Sequence, residues 1–288
     1  MNAATAIAKI LKAEGIEFLT CFPHNEIIDT AADEQIRPIL AHTERVAVNM
    51  AEGFSRMHNG RRFGVVCVQD GPGIENAFGA VAQAYGDNSP ILLLPGGYDR
   101  DRQDIHPNFQ ATQNFGKVSK WVAEVNRADR VPQMMQRAFA LLRSGRGGPV
   151  MLEVPTDVMQ EELPAGLLQG YIPPKRSAPQ ADPEAVRRLV QTLLSAQSPI
   201  IVAGQGIFSA EAWPELQELA ELLQIPVMTT MNGKSCFPEN HSLALGAGGA
   251  SRPRPVSHFL DRADLVLGIG TSFTRSPYIT AIPPGKTM

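Results

Sequence analysis

The stretch His42–Gly97, HTERVAVNMAEGFSRMHNGRRFGVVCVQDGPGIENAFGAVAQAYGDNSPILLLPGG, decides how this chain reads. A helical pattern over Glu44–His58 sets Ala47, Met50, Ala51 and Phe54 on one face. An apolar run at Phe63–Val68, a second helical pattern at Ile74–Tyr85 and a second run at Ile91–Leu94 follow. Runs that are apolar at consecutive positions are what parallel strands need when both faces are covered. The rhythm extends outward from here. Upstream lie a first helix in MNAATAIAKILKAEGI, a β-rich run at Glu17–Phe22 closed by Pro23, and a run at Arg37–Ala41. Downstream, runs at Val118–Val125 and Val150–Val154 flank a helical pattern at Val131–Ser144. A doubly wound parallel sheet is therefore expected for residues 1–163.

The pattern breaks near Pro155, and Leu163–Pro183 holds five prolines, so residues 164–182 are expected to be a linker. Residues 183–288 restart the alternation, with a helix at Pro183–Ala196, strands at Pro199–Ala203, Pro226–Thr229 and Leu265–Ile269, and a helix at Ala212–Leu223. The expected fold class is thus α/β with two doubly wound parallel-sheet domains. The second reads as truncated, because the sequence stops at PPGKTM just after a strand and a loop.

Length and composition fit this reading. At 288 residues, with 43% apolar and 19% charged residues, the chain can bury two cores. A net charge of -3 provides no basic field for a phosphate backbone, so no nucleic-acid partner is expected. No stretch approaches the ~18 consecutive apolar residues of a membrane span, so no membrane partner is expected either. Cys21, Cys67 and Cys236 are odd in number and widely spaced, which suits buried reduced thiols and a cytoplasmic setting. The histidines show no HxH or HExxH spacing and no CxxC occurs, so no protein metal site is expected.

Glu44 stands where the run RPILA gives way to a helix, at the strand edge where open α/β sheets bind ligands. The same position also suits the positive end of the helix dipole behind Thr43 as N-cap. Asp70–Gly73 is a tight turn that can either offer amides to a ligand or merely reverse the chain. Asn76 can donate to a ligand or solvate a helix start. From these residues singly, both readings stay open.

Taken in order, Glu44, Ala47, Ala51, Glu52, Gly53, Phe54, Ser55 and Arg56, then Gly71-Pro72-Gly73 and Asn76, then Ala84, Asp87 and Pro90, resemble a known series. It is that of the pyrimidine-binding domain of thiamine-diphosphate enzymes, in particular the acetolactate synthase, benzoylformate decarboxylase and 2-hydroxyacyl-CoA lyase group. The resemblance continues through Phe109-Gln110, Lys120 in VSKWV and GGPVMLEVPTDV. It extends into VAGQGI at Val202–Ile207 and MNGKSCFPENHSLALGAGG, which resemble the family's central domain.

The resemblance implies a thiamine diphosphate cofactor and carbon–carbon cleavage or ligation on a 2-keto acid or related carbonyl substrate. It implies that Glu44, in a desolvated pocket, hydrogen-bonds N1′ of the aminopyrimidine and favours the tautomer that takes the C2 proton. Pro23, Gly71, Pro72, Gly73 and Asn76 would surround the ring. The first loop departs from the family: Phe22-Pro23-His24-Asn25-Glu26 replaces a glycine turn. His24 is expected either to assist proton transfer at the substrate or to shape the loop, with Asn25, Tyr98 and Gln110 on the substrate side. Gly96-Gly97-Tyr98 and Ala111 also differ from the acetolactate synthase wording, which points to a different substrate.

Gly204-Gln205-Gly206 lacks a third glycine and is expected to be a structural turn. FAD or a nucleotide is bound in some related central domains; Lys234 or Arg252 would either face such a ligand or, the favoured reading, be solvated surface. Family members hold the diphosphate through Mg²⁺ on a C-terminal domain marked by GDG and NN, and neither motif occurs here. Mg²⁺ is therefore expected from such a domain or from a partner subunit, in a homo-oligomer, with the isolated chain inactive. The alternative is a non-catalytic subunit, or a nucleotide- or acyl-CoA-binding module, that keeps the fold without needing Glu44.

Overall fold

Short polar caps followed by buried faces set the first helices. The Asn2 side chain accepts the Thr5 N–H at 2.9 Å, and Ala3, Ile7, Ile10 and Leu11 are buried along α1 (Ala3–Ala13). Asn25 caps α2 (Glu26–Asp33), and Thr43 caps α3 (Glu44–Met57). β1 (Phe18–Cys21) and β2 (Arg37–Leu40) lie among them. β3 (Gly64–Val68), α4 (Pro72–Gly86), β4 (Ile91–Gly97), α5 (Ala111–Phe115), β5 (Trp121–Glu124), α6 (Val131–Leu142), β6 (Val150–Pro155) and α7 (Thr156–Gln160) follow. The computed structural model describes residues 1–288, which separate into the units Met1–Ala178 and Pro179–Met288.

The first unit is a six-stranded parallel sheet in the order β2-β1-β3-β4-β6-β5. Strand alternation divides its side chains between two cores. Leu19, Val65, Leu92 and Leu152 pack with α1, α2 and α6, whereas Val66, Ile91, Leu93 and Met151 pack with α3, α4 and α5. Each such side chain, fully buried, contributes roughly 1.5–3 kcal/mol. The chain leaves β1 toward one edge and β3 toward the other, so the switch point, where open α/β sheets form a ligand cleft, lies outside the carboxyl ends of these two neighbours. Cys21 and Cys67 face each other in register there as free, buried thiols, and burial pushes both above the ordinary thiol range.

The boundary between the units falls inside residues 164–182, and the first half of that segment is tied down. Leu168 and Tyr171 pack against the first core, the Tyr171 hydroxyl donates to Glu14, and Ile172 and Pro174 carbonyls accept from Gln136 and Arg143.

The second unit begins with α8 (Pro183–Ser195), whose Asp182 cap accepts the Glu184 and Ala185 N–H groups. β7 (Pro199–Ala203), α9 (Gly206–Ala210), α10 (Trp213–Leu223), β8 (Val227–Thr230), β9 (Ala244–Gly248), α11 (Arg254–Arg262) and β10 (Leu265–Ile269) complete it. Its sheet is parallel in the order β10-β7-β8-β9. Beside the outer edge of β10, Thr287 forms a single parallel bridge with Leu265. No helix is long and apolar enough to cross a membrane.

Candidate active site

Glu44 is the first residue of α3, and β1 fixes where that helix begins. The Thr20 hydroxyl, buried in the sheet, reaches Ala47 O at 2.8 Å and Val65 O at 3.3 Å, so the first turn of α3 is stitched to β1 and β3. Glu44 is only 7% exposed. Its Oε2 accepts the Asn76 Nδ2–H at 2.6 Å, across from the first turn of α4. That is the carboxylate's only hydrogen bond from the chain, and no cation pairs with it. A buried carboxylate costs free energy unless its lone pairs are met, so Oε1 is poised for a donor from a ligand.

The turn ahead of α4 is shaped by close approach. Gly71 has φ +50°, and a Cβ there would stand 2.4 Å from Tyr98 Oη; a Cβ on Gly73 would stand 2.4 Å from the Gln69 side chain. Tyr98 is thereby brought onto the Gly71-Pro72-Gly73 turn. The Gly73 N–H closes on Asp70 O within the turn itself. Gln110 caps α5 through its carbonyl, which accepts from the Asn114 backbone and side chain, and its own side chain is half-buried and unbonded.

The first loop is anchored at both ends. Phe22 N–H donates to Cys67 O at 3.2 Å, and Pro23 and His24 follow, exposed. Asn25, expected on the substrate side, turns its carboxamide inward. Its Nδ2 donates to Val68 O and Leu94 O, each at 3.0 Å, and its Oδ1 accepts Ile27 N–H at 2.9 Å. Both amide hydrogens are spent on carbonyls of β3 and β4, so Asn25 is a strut under the loop.

Half of the ordered motif lies away from the cleft. Glu52, 3% exposed, is met by Arg56 at 3.5 Å, Gln83 Nε2 at 3.0 Å and Ser89 Oγ at 3.3 Å, and Arg56 also pairs with Asp87. Burial raises the Glu52 carboxyl above its ordinary range while Arg56 opposes the rise. Nearby, a Cβ on Gly64 would meet Ala51 Cα at 2.4 Å, so strand and helix touch through small residues. Lys120 donates to Leu141 O and Ser144 O and thereby closes the end of α6.

The sequence reading passed over Glu153. It sits in β6 at 7% exposure, packed on Gly97, where a Cβ would lie 3.0 Å from its Cγ, and in register with Glu124. Burial first, then repulsion from Glu124 and Asp70, pushes its carboxyl up to about 7, with the Thr112 N–H partly opposing. A lone carboxylate inside the apolar run PVMLEVP was the available signal, because acids are almost never fully buried without a partner.

In the second unit, glycines serve packing. A Cβ on Gly204 would stand 2.4 Å from Gly270 O, and the Gly204 and Gly206 N–H groups donate to Ile269 O and Gly270 O. Those amides are turned toward backbone carbonyls, not toward a phosphate. Lys234 pairs with Glu239, and Arg252 with Asp261. No group of three or more His, Cys, Asp or Glu is arranged to hold a metal ion.

Comparison with known proteins finds one family match within each unit. Residues 1–117 match the family described as thiamine pyrophosphate enzyme, N-terminal TPP binding domain, and residues 186–287 match thiamine pyrophosphate enzyme, central domain. A probable acetolactate synthase large subunit of Methanocaldococcus jannaschii is 31% identical over 286 residues, covering 95% of this chain and 48% of that protein. A glyoxylate carboligase of Escherichia coli O157:H7 is 35% identical over 282 residues, covering 95% and 47%. The acetolactate synthase isozyme 3 large subunit of Escherichia coli K12 is 29% identical over 294 residues, covering 95% and 49%. The chain spans about half the length of the curated relatives it matches.

Proposed function

The chain belongs to the thiamine pyrophosphate enzymes, and from that premise we propose that its first unit carries the aminopyrimidine side of a thiamine diphosphate site. The observation that carries this reading is the buried Glu44 carboxylate, held through one oxygen by Asn76 and open at the other. Pro23, Gly71, Pro72, Gly73 and Asn76 would line the ring. When bound, thiamine diphosphate supplies an electron sink for making or breaking a carbon–carbon bond.

The residues divide the work as follows. Asn76 fixes the orientation of Glu44 by donating to Oε2. Glu44 Oε1, carrying the carboxyl proton, would then donate it to N1′ of the aminopyrimidine and take it back. Burial strengthens that hydrogen bond by excluding water. His24, Tyr98 and Gln110 would face the substrate, and His24, exposed on a loop anchored at Phe22 and Asn25, would set substrate preference. The relatives' names, acetolactate synthase and glyoxylate carboligase, favour ligation of 2-keto acids. We assign the diphosphate and Mg²⁺ to a C-terminal diphosphate-binding domain or partner subunit, in a homo-oligomer, since the chain spans about half of its relatives. Buried free thiols suit a reducing, cytoplasmic setting.

The test extends this chain to the length of its relatives, or supplies a diphosphate-binding polypeptide, and offers pyruvate and glyoxylate with thiamine diphosphate and Mg²⁺. A new carbon–carbon product that requires the cofactor, and disappears in Glu44→Gln, is the expected result. Calorimetry on the 288-residue chain alone should show weak cofactor binding, because most of the cofactor's charge is on its diphosphate. Cofactor binding without turnover, unaffected by Glu44→Gln, would replace this reading with the non-catalytic one. In the extended enzyme, His24→Ala should change the ratio of products more than the cofactor affinity.

A further inference from the structure

β5 is the edge of the first sheet opposite to β2, and it pairs on one side only, with β6. The backbone groups of its free side are a template for another strand. Beside this edge a groove of about 250 Å³ runs between β5 and α6, lined by Trp121, Ala123, Arg130, Gln133, Met134 and Arg137. The four residues at the α6 side recur at i, i+3, i+4 and i+7, so they form one stripe along the groove. Met134 is buried at its floor, while Arg130, Gln133 and Arg137 are exposed.

The charge in the groove is uncompensated. Arg137 lies 4.7 Å over the Trp121 ring, and Arg130 donates to the Asn126 carboxamide; neither is in an ion pair. Other arginines near this edge differ: Arg127 is paired with Asp129, and Arg100 with Asp157 and Glu161. Glu124 also lines the groove, at the end of β5, but strand alternation sets its side chain with Val122 on the other face of the sheet. Trp, Met and Arg together are the residue types enriched where proteins bind one another.

We propose that this groove is a docking site for an extended acidic segment of a partner protein, which adds as a strand to β5 and sets carboxylates against Arg130 and Arg137. Arg130, immediately ahead of α6, and Arg137 are seven residues apart, about 10 Å along the helix axis. Residues two apart on one face of a strand are separated by roughly 7 Å, within the reach of two flexible guanidinium groups. Backbone pairing would supply affinity, and alternate acidic side chains the selectivity. A second copy of this chain is disfavoured as occupant, because pairing β5 with β5 about a two-fold axis brings like charges together. The proposal does not depend on the reading of Glu44.

The test uses capped heptapeptides of alternating Glu and Val, or alternating Lys and Val, titrated against the chain. In a Trp213→Phe background Trp121 is the sole tryptophan, and its fluorescence reports binding. The Glu peptide should bind, weaken with added salt, and protect the outward amides of β5 from hydrogen exchange. The double variant Arg130→Gln and Arg137→Gln, whose side chains are exposed and whose fold is checked by circular dichroism, should weaken it about tenfold. A Glu peptide carrying proline at its centre should bind more weakly than the parent, since proline removes a pairing N–H. Equal binding of the Lys peptide, no binding at all, or dimerisation of the chain through β5 would overturn the proposal. Binding of succinate or inorganic phosphate with the same arginine dependence, but no amide protection by the Glu peptide, would make the groove a small-anion site and likewise overturn it.

Discussion

Two buried glutamates on α3, two turns apart, are treated oppositely by the fold. Glu52 is met by a guanidinium, a carboxamide and a hydroxyl, all from the chain. Glu44, almost as buried, receives one carboxamide and no cation. The first holds α3 to α4 at the end remote from the cleft. The second is left with capacity to spare at the edge where a ligand can reach it. Burial alone therefore does not single out a candidate functional carboxylate; incomplete satisfaction by the protein does.

The sharpest way to break this contrast is to neutralise each glutamate. In the extended enzyme, Glu44→Gln should lower turnover by about 10²–10⁴ while the thermal midpoint stays close to that of the unmodified protein. If melting falls and turnover per folded molecule does not, the roles are reversed. Glu52→Ala should do the opposite, costing about 2–3 kcal/mol in urea unfolding as Arg56 loses a partner, with turnover per folded molecule unchanged.

Glu153 sharpens the comparison from a third side, because its partners include two other carboxylates. Its native carboxyl titrates near 7 against an ordinary 4.5, so the folded state binds the proton more tightly than the unfolded one. The resulting stabilisation is fully present below about pH 4.5 and is lost as pH rises through about 7. Glu153→Gln should flatten that loss, making the variant about 1–3 kcal/mol more stable than the parent at pH 8 and no more stable at pH 4. A stability curve that falls between pH 5 and 8 equally in both proteins would remove Glu153 as its source. The smallest effect is expected at Lys120. Lys120→Met should cost about 1 kcal/mol by unclosing the end of α6, without touching turnover.

The first sheet was legible because its strands are consecutive apolar runs divided by helices of clear period, and the order of Glu44, Gly71–Gly73 and Asn76 marked the cleft. Other features depend on neighbours that spacing does not show. Asn25 follows an exposed Pro-His pair and reads as a ligand contact, yet its amide is drawn inward by the carbonyls of Val68 and Leu94. β9, ALGAG, carries glycines that strands disfavour, and tertiary pairing with β8 overrides that preference. α11 begins inside the run SRPRP, Ser251–Pro255, and was hidden by its prolines. The proline-rich segment after Leu163 reads as a linker, but Tyr171 and Pro174 are drawn onto Glu14 and Arg143.

The anchoring of the first loop has a consequence for how such a site can diversify. Phe22 is fastened by its N–H and Asn25 by its whole carboxamide, so Pro23 and His24 form an insert held between fixed ends. Exchanging either residue would redecorate the mouth of the cleft without repacking a strand or recapping a helix. Saturating these two positions together, with Phe22 and Asn25 kept, is accordingly an economical library for this scaffold, since the chemistry of the rim can be varied while its geometry is inherited.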